Sequence, residues 1–292
     1  MSVSFLAPAK INLTLDVVGT REDGYHLMDM LMQPVSLADR ITLLPAEELS
    51  LTVAGGGNIP ADDRNLALRA AKLLRKETGV SAGAAIHLEK HIPSQAGMGG
   101  GSSDAAAVLT ALNRLWSAGL SGEELEALGV RLGADVPFLI RGGLARTRGI
   151  GEQLESIPSC RAYSLLVLQP EGGLSTAEIF RAWHDMPAER SADPEAALSA
   201  ILSGSVAGRS SAFANMLEPV SRRFCPEIGT LIQALYDNGA DLAQMTGSGS
   251  AVFGVFSDTG ARNRAAALLA SRCPKCWCCE TQEESIRFQE DA

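Results

Sequence analysis

Several features are scarce in this 292-residue chain. No run of 18 or more apolar residues occurs, so no segment has the length and character of a bilayer-spanning helix. The opening Met1-Ser-Val-Ser4 lacks a basic stretch ahead of an apolar one, as a secretory signal requires. A cytoplasmic protein with no membrane partner is therefore expected. Positive charge is short as well: 25 Lys and Arg stand against 34 Asp and Glu, a net charge of −9, and no basic block interrupts the balance. Nucleic acid is not expected as a partner, because binding a phosphate backbone over many contacts needs an electropositive face. A small anionic ligand remains open if cations and backbone amides converge locally. Six cysteines in so long a chain without a secretory signal do not build a disulfide framework.

Enough is present to bury a core, since 46% of the residues are apolar and 20% charged. The length fits two domains. Helical spacing of Leu66, Ala70, Leu73 and Leu74 predicts a helix over 62–78 stopped by Gly79. A strand at 84–90 leads into Pro93 and a glycine-rich loop, and a helix is expected from Asp104 onward. Ser121-Gly-Glu-Glu124 reads as a capping box opening another helix. The second half runs strand (163–168), helices, a hairpin over 241–256, a helix over 260–272 and a strand at 276–281. That order predicts an α+β architecture whose C-terminal part is a ferredoxin-like α/β sandwich. The expected division is 1–157 and 158–292.

Residues 93–103, Pro-Ser-Gln-Ala-Gly-Met-Gly-Gly-Gly-Ser-Ser, carry the most chemical information. Glycines at 97, 99, 100 and 101 let the backbone approach a ligand and adopt dihedrals closed to other residues. The following helix points free N–H groups and its positive dipole end at the loop, which makes an anion site suited to a di- or triphosphate. Other glycine signatures fit worse. A Walker A loop needs Gly-Lys, which occurs nowhere in the chain, and Ser102 stands where a Rossmann fingerprint needs its third glycine. Ser102 and Ser103 could donate to phosphate oxygens or bind a metal, and Mg²⁺ is expected to accompany the nucleotide.

Lys10, in the otherwise apolar Ala7-Pro-Ala-Lys-Ile-Asn-Leu13, reads either as a solvated edge residue or as a catalytic cation. Asp135, in Leu132-Gly-Ala-Asp-Val-Pro-Phe138, reads either as a helix cap or as its carboxylate partner. Together they could polarise a hydroxyl and steady a transferred phosphoryl group. His87 and His91 lack the Glu placement of a zinc-protease helix and lie in a predicted strand. Cys273, Cys276, Cys278 and Cys279 are spaced too tightly for paired zinc knuckles, and read as reduced thiols of a buried last strand; Cys160 and Cys225 read as small apolar residues.

These motifs resemble the GHMP family of small-molecule kinases. Pro93–Ser103 followed by Asp-Ala-Ala resembles the family's phosphate loop, and Met245-Thr-Gly-Ser-Gly-Ser-Ala251 its C-terminal glycine motif, which braces that loop. Further anchors are Pro8-Ala-Lys-Ile-Asn-Leu13, Arg21-Glu-Asp-Gly-Tyr-His26, Asp63-Arg-Asn-Leu66, Leu132–Pro137 and Phe213-Ala-Asn215. The resemblance implies a two-domain GHMP kinase fold with an N-terminal nucleotide-binding domain and a C-terminal substrate-side domain. It implies ATP and Mg²⁺, with no protein side chain assigned as metal ligand. Lys10 and Asp135 would be catalytic. Pro93, Ser94, Gln95, Ala96, Gly97, Met98, Gly99, Gly100, Gly101, Ser102 and Ser103 would hold the phosphates, with Asn65 and Lys90 also on the nucleotide side. Asn12 would place the acceptor, while Tyr25, His26 and Phe180 would take a cytosine base. The implied acceptor is cytidine diphospho-methylerythritol, phosphorylated on its 2-hydroxyl in non-mevalonate isoprenoid precursor synthesis. The expected assembly is a monomer or weak homodimer. Two alternatives stand beside this: a kinase for a mevalonate- or homoserine-type alcohol, and a non-catalytic sensor on the same fold. Met98 where the family has Leu is a volume-conserving departure, and Met216 stands where relatives carry Asp.

Overall fold

The computed structural model describes residues 2–22, 24–158, 161–184, 186 and 191–289. Asp23 of the Arg21–His26 motif and Cys160 lie outside them. The first sheet contains β1 (Val3–Thr20), β2 (His26–Ala46), β3 (Leu49–Gly55), β4 (Gly83–Lys90), β5 (Ala145–Gly149) and β6 (Gln153–Ser156). Its helices are α1 (Leu66–Thr78), α2 (Gly100–Leu115), α3 (Gly122–Val130) and α4 (Val136–Arg141). The second layer holds β7 (Ser164–Leu168), α5 (Thr176–His184), α6 (Pro194–Leu202), α7 (Glu218–Phe224), α8 (Glu227–Asp237), β8 (Leu242–Met245), β9 (Val252–Phe256), α9 (Thr259–Leu269) and β10 (Cys276–Glu280). A last strand, β11 (Arg287–Gln289), returns to the first sheet.

β10, β7, β9 and β8 lie side by side in that order, all antiparallel. With the intervening helices this is the strand order of a ferredoxin-like sandwich, as the sequence order predicted. The first sheet runs β11-β1-β2-β4-β3, with β5 against the N-terminal half of β2 and β6 beyond it. Because β11 pairs with β1 at Ser4–Leu6, it extends the edge of the N-terminal sheet rather than the C-terminal one.

β1 positions the site through its irregularities. Phe5 and Ala7 pack into the core that includes α1 and α2, whereas Ala9, Ile11 and Leu13 pack with Val167 and Phe253 of the second layer. Leu15 and Val17 then return to the first core. The face changes where the pairing with β2 shifts register, between Pro8 and Lys10 and again between Asn12 and Thr14. At the first shift two residues of β1 run against four of β2, at the second two run against one, and such breaks in the ladder let a strand change the face it presents. Pro8 cannot donate to the ladder, and Lys10 stands opposite Pro34, which lacks an N–H too. The freed Lys10 amide donates instead to Met98 O, 3.0 Å away, and joins strand to glycine-rich loop.

Several local signals are realised. Gly79 takes the left-handed conformation and donates back to Arg75 O, and Ser121 and Glu124 form the reciprocal capping box. Two helix starts differ from expectation. α1 begins at Leu66 because the Asn65 side chain caps it, accepting from Ala67 N. α2 begins at Gly100, not Asp104: Gly99, with φ near 70°, is its N-cap, so Gly100–Ser103 form its first turn. The cysteine-bearing strand β10 is an edge strand with Cys279 buried, Cys276 half-buried and Cys278 exposed, which corrects the uniformly buried strand expected.

Candidate active site

A cleft of about 960 Å³ opens between the two layers. It is lined by every residue that the sequence assigned to catalysis, nucleotide or acceptor except Ser103. The Ser103 hydroxyl is buried and donates to Pro8 O at 2.7 Å, so it braces β1 against α2 and does not face a ligand. Ser102, one residue earlier on the helix, does line the cleft.

At its centre Lys10 Nζ lies 3.7 Å from Asp135 Oδ2, with side-chain exposures of 5% and 28%. Lys10 is thus no solvated edge residue. Asp135 occupies the N-cap position of α4, yet its side chain makes no capping hydrogen bond, leaving the carboxylate to the cleft. At Gly99 the glycine-rich loop packs directly against this pair: a Cβ there would sit 3.1 Å from Lys10 Cγ and 3.4 Å from Asp135 Oδ2. Asn12 Oδ1 accepts from Lys10 Nζ at 2.7 Å and from Gly247 N at 3.0 Å. It therefore holds the lysine and links it to the C-terminal glycine motif.

That motif braces the phosphate loop backbone to backbone. Ser250 N donates to Gln95 O and Ala251 N to Ala96 O, at 3.1 and 3.2 Å. Asn215 secures the motif from behind, its side-chain amide donating to Met245 O and Gly247 O. Gln169, at the end of β7, donates from Nε2 to Ser94 O at 2.9 Å. Neither of these last two tethers was legible as such: Asn215 was seen only as a motif member, and an isolated Gln carries no sequence signal.

The loop fits a polyphosphate. The first N–H groups of a helix have no intrahelical acceptor, and Gly100, Gly101 and Ser102, which open α2, all line the cleft. Glycine at 97 and 99 keeps positive φ and leaves no side chain between backbone and ligand. Asn65 lines the cleft as the cap of α1, its amide also donating to Pro60 O. Lys90 is committed elsewhere: its ammonium is bound to Asp39 and Asp104 in the interior. Burial opposes the charge on Lys90, but Asp104 and Asp39 outweigh it and its pKa is raised.

At the other end His26 stacks on Phe180, centroids 5.1 Å apart and planes 16° from parallel, with Trp183 edge-on at 5.5 Å. Tyr25 is 60% exposed beside them. Burial, then the nearby His184, lower the His26 pKa below its ordinary 6.5, which favours a neutral imidazole able both to donate and to accept. Arg181, next to Phe180 on α5, is an exposed cation on the same wall that sequence reasoning passed over.

Comparison with known proteins gives a consistent picture. Residues 65–143 match the family model for the GHMP kinases N terminal domain, and residues 196–275 that for the GHMP kinases C terminal. A 4-diphosphocytidyl-2-C-methyl-D-erythritol kinase of Pelotomaculum thermopropionicum is 45% identical over 269 residues, covering 91% of this chain and 93% of that protein. A crystal structure of 4-(cytidine 5'-diphospho)-2C-methyl-D-erythritol kinase superposes with a TM-score of 0.81 at 38% identity, over 95% of this chain and 98% of the other. Homoserine kinase from Cytophaga hutchinsonii superposes with a TM-score of 0.79, over 99% and 97% of the two chains. At 17% identity that match speaks for the fold alone.

Proposed function

The chain belongs to the GHMP kinase family, and from that membership and the cleft we propose that it uses ATP to phosphorylate the 2-hydroxyl of 4-diphosphocytidyl-2-C-methyl-D-erythritol. The Lys10–Asp135 pair beside the phosphate loop carries this reading. Asp135 accepts the proton of the acceptor hydroxyl as its oxygen bonds to the γ-phosphorus and the bond to the ADP oxygen breaks. Lys10 offsets charge on the phosphoryl group and is kept in place by Asn12. In such a transfer the protein's work is positioning and electrostatics.

The loop amides and the N-terminus of α2 receive the ATP phosphates, with Asn65 on the nucleotide side. Mg²⁺ fits the donor set near them. The Ser102 hydroxyl, which faces the cleft at the start of α2, would help hold it beside the phosphates. The chemistry the ion would supply there is neutralisation of phosphate charge. The cytosine is taken by Tyr25, His26 and Phe180. His26 covers one face of Phe180, so the base either displaces His26 or stacks on the exposed Tyr25 ring, over which the Arg21 guanidinium lies 5.8 Å from the centroid. Arg181 then supplies a cation toward the acceptor's diphosphate. An ATP-using enzyme of this kind belongs in the cytoplasm.

The test is ADP release with Mg-ATP and the cytidine diphospho-methylerythritol acceptor, alongside mevalonate and homoserine. Turnover confined to the cytidine compound supports the proposal. Turnover only with another alcohol, or ATP binding without turnover, would move the assignment to a different acceptor or to a sensor.

A further inference from the structure

We propose that Asp39 is a positioning residue for ATP, holding both ends of the phosphate loop through Lys90, Asp104 and two backbone amides. The inference rests on reading that loop as the nucleotide site. Asp39 lies on β2, beside β4 in the register that pairs Arg40 with Glu89, and is wholly buried. β4 ends at Lys90, and there the chain leaves the sheet for the loop. The amides of His91 and Ile92 thereby lose their ladder partners. Asp39 Oδ1 takes both, at 2.6 and 2.8 Å. One carboxylate oxygen thus stands in for the missing strand at the loop's entrance.

The other oxygen of Asp39 binds Lys90 Nζ, and the same ammonium donates to Asp104 Oδ2 at 2.6 Å. Asp104 sits on α2 just past the turn formed by Gly100–Ser103, at the loop's exit. A Cβ on Gly100 would lie 3.4 Å from Lys90 Nζ, so the ammonium packs directly under the helix start. Entrance and exit are therefore tied to one buried chain of carboxylate, ammonium and carboxylate. Interactions of this kind are strong in the interior, and removing one partner leaves the others buried and unpaired. Asp104 makes a smaller contribution to the tether. Its Oδ1 has no hydrogen-bond partner among the described residues, and burial raises its pKa well above the ordinary carboxylate value, against Lys90 and with Asp39. Asp39 alone joins the ammonium to the backbone.

Asp39→Asn keeps the size and one acceptor for the loop amides, but turns an NH₂ group against Lys90. The experiment measures Mg-ATP affinity by calorimetry without acceptor, and the KM of each substrate in turnover. Misplaced binding groups cost large factors, so ATP affinity and ATP KM should worsen about tenfold or more, with acceptor KM within about twofold. Asp104→Asn should weaken ATP in the same direction but less. The double variant should fall short of the product of the two, because the residues act through one lysine. Unchanged ATP affinity in folded Asp39→Asn, or equal loss of ATP and acceptor, would overturn the proposal. If Asp39→Asn does not fold, unchanged ATP affinity in Asp104→Asn overturns it instead. Wild-type protein without affinity for Mg-ATP would overturn the nucleotide reading itself, and this inference with it.

Discussion

Gly97 and Gly247 meet backbone to backbone across the two halves of the molecule. A Cβ on Gly97 would lie 2.2 Å from Thr246 O, and one on Gly247 2.5 Å from Gly97 O. Both residues have positive φ, 72° and 55°. The glycine-rich loop is therefore shaped by a segment about 150 residues away in sequence, and only glycine permits the approach.

Gly97→Ala is expected to cost about 1–3 kcal/mol from overpacking, and roughly 1–2 kcal/mol more from a left-handed alanine. Thermal unfolding should shift down, and ATP KM should rise while acceptor KM moves less. An alanine variant with wild-type melting temperature and ATP KM would show that this contact does not shape the loop.

Asn12→Ala removes the acceptor shared by Lys10 Nζ and Gly247 N. Each donor left unpaired in the interior costs about 1–3 kcal/mol. The lysine loses its fixed position, so kcat should fall by about tenfold or more. Steady-state kinetics check this, and Asn12→Asp, which keeps the acceptor, should recover part of the loss.

His26 gives a pH dependence of definite sign. Its folded pKa lies below 6.5, so the ring is neutral at pH 7 and takes a proton only as pH falls below that value. Between the folded and unfolded values the unfolded chain binds more protons, so this group's contribution to stability rises with pH there. Acceptor KM should rise as the ring is protonated, with ATP KM unchanged. In His26→Gln that acid limb should vanish; its persistence would assign the limb to another group.

The cysteines should differ in reactivity. Burial pushes the Cys276 thiol up to about 11 and Cys279 to about 12, while Cys278 is exposed on the edge strand. The thiolate is the nucleophile, so iodoacetamide at pH 7.5 should modify Cys278 before Cys276 or Cys279, as peptide mass spectrometry would record. Earlier labelling of Cys279 would contradict the placement of β10.

Legibility in the sequence followed how local each cause is. The Gly79 and Ser121 caps and the hairpin around 246–250 were readable because each depends on a few adjacent residues, and the ferredoxin-like sheet followed from the order of elements along the chain. The pairing of Lys10 with Asp135 was one of two readings of those residues and the one that the motif resemblance implied, and the structure brings the two together. What escaped depends on contacts distant in sequence. Nothing near Asp39 announces that it receives the amides of His91 and Ile92. Ser103 looked equivalent to Ser102 until the helix began at Gly100, which turns one hydroxyl inward and leaves the other beside the cleft. β11 is too short to signal itself, and pairing with β1 alone defines it.

The central claim is that Asp135 takes the proton of the acceptor hydroxyl beside Lys10. ADP release with Mg-ATP and the cytidine diphospho-methylerythritol acceptor, compared between wild type and Asp135→Asn, tests it most directly. The account predicts wild-type turnover and a loss in kcat of about 10²-fold or more in the variant, with ATP affinity retained. Undiminished turnover in Asp135→Asn would contradict it.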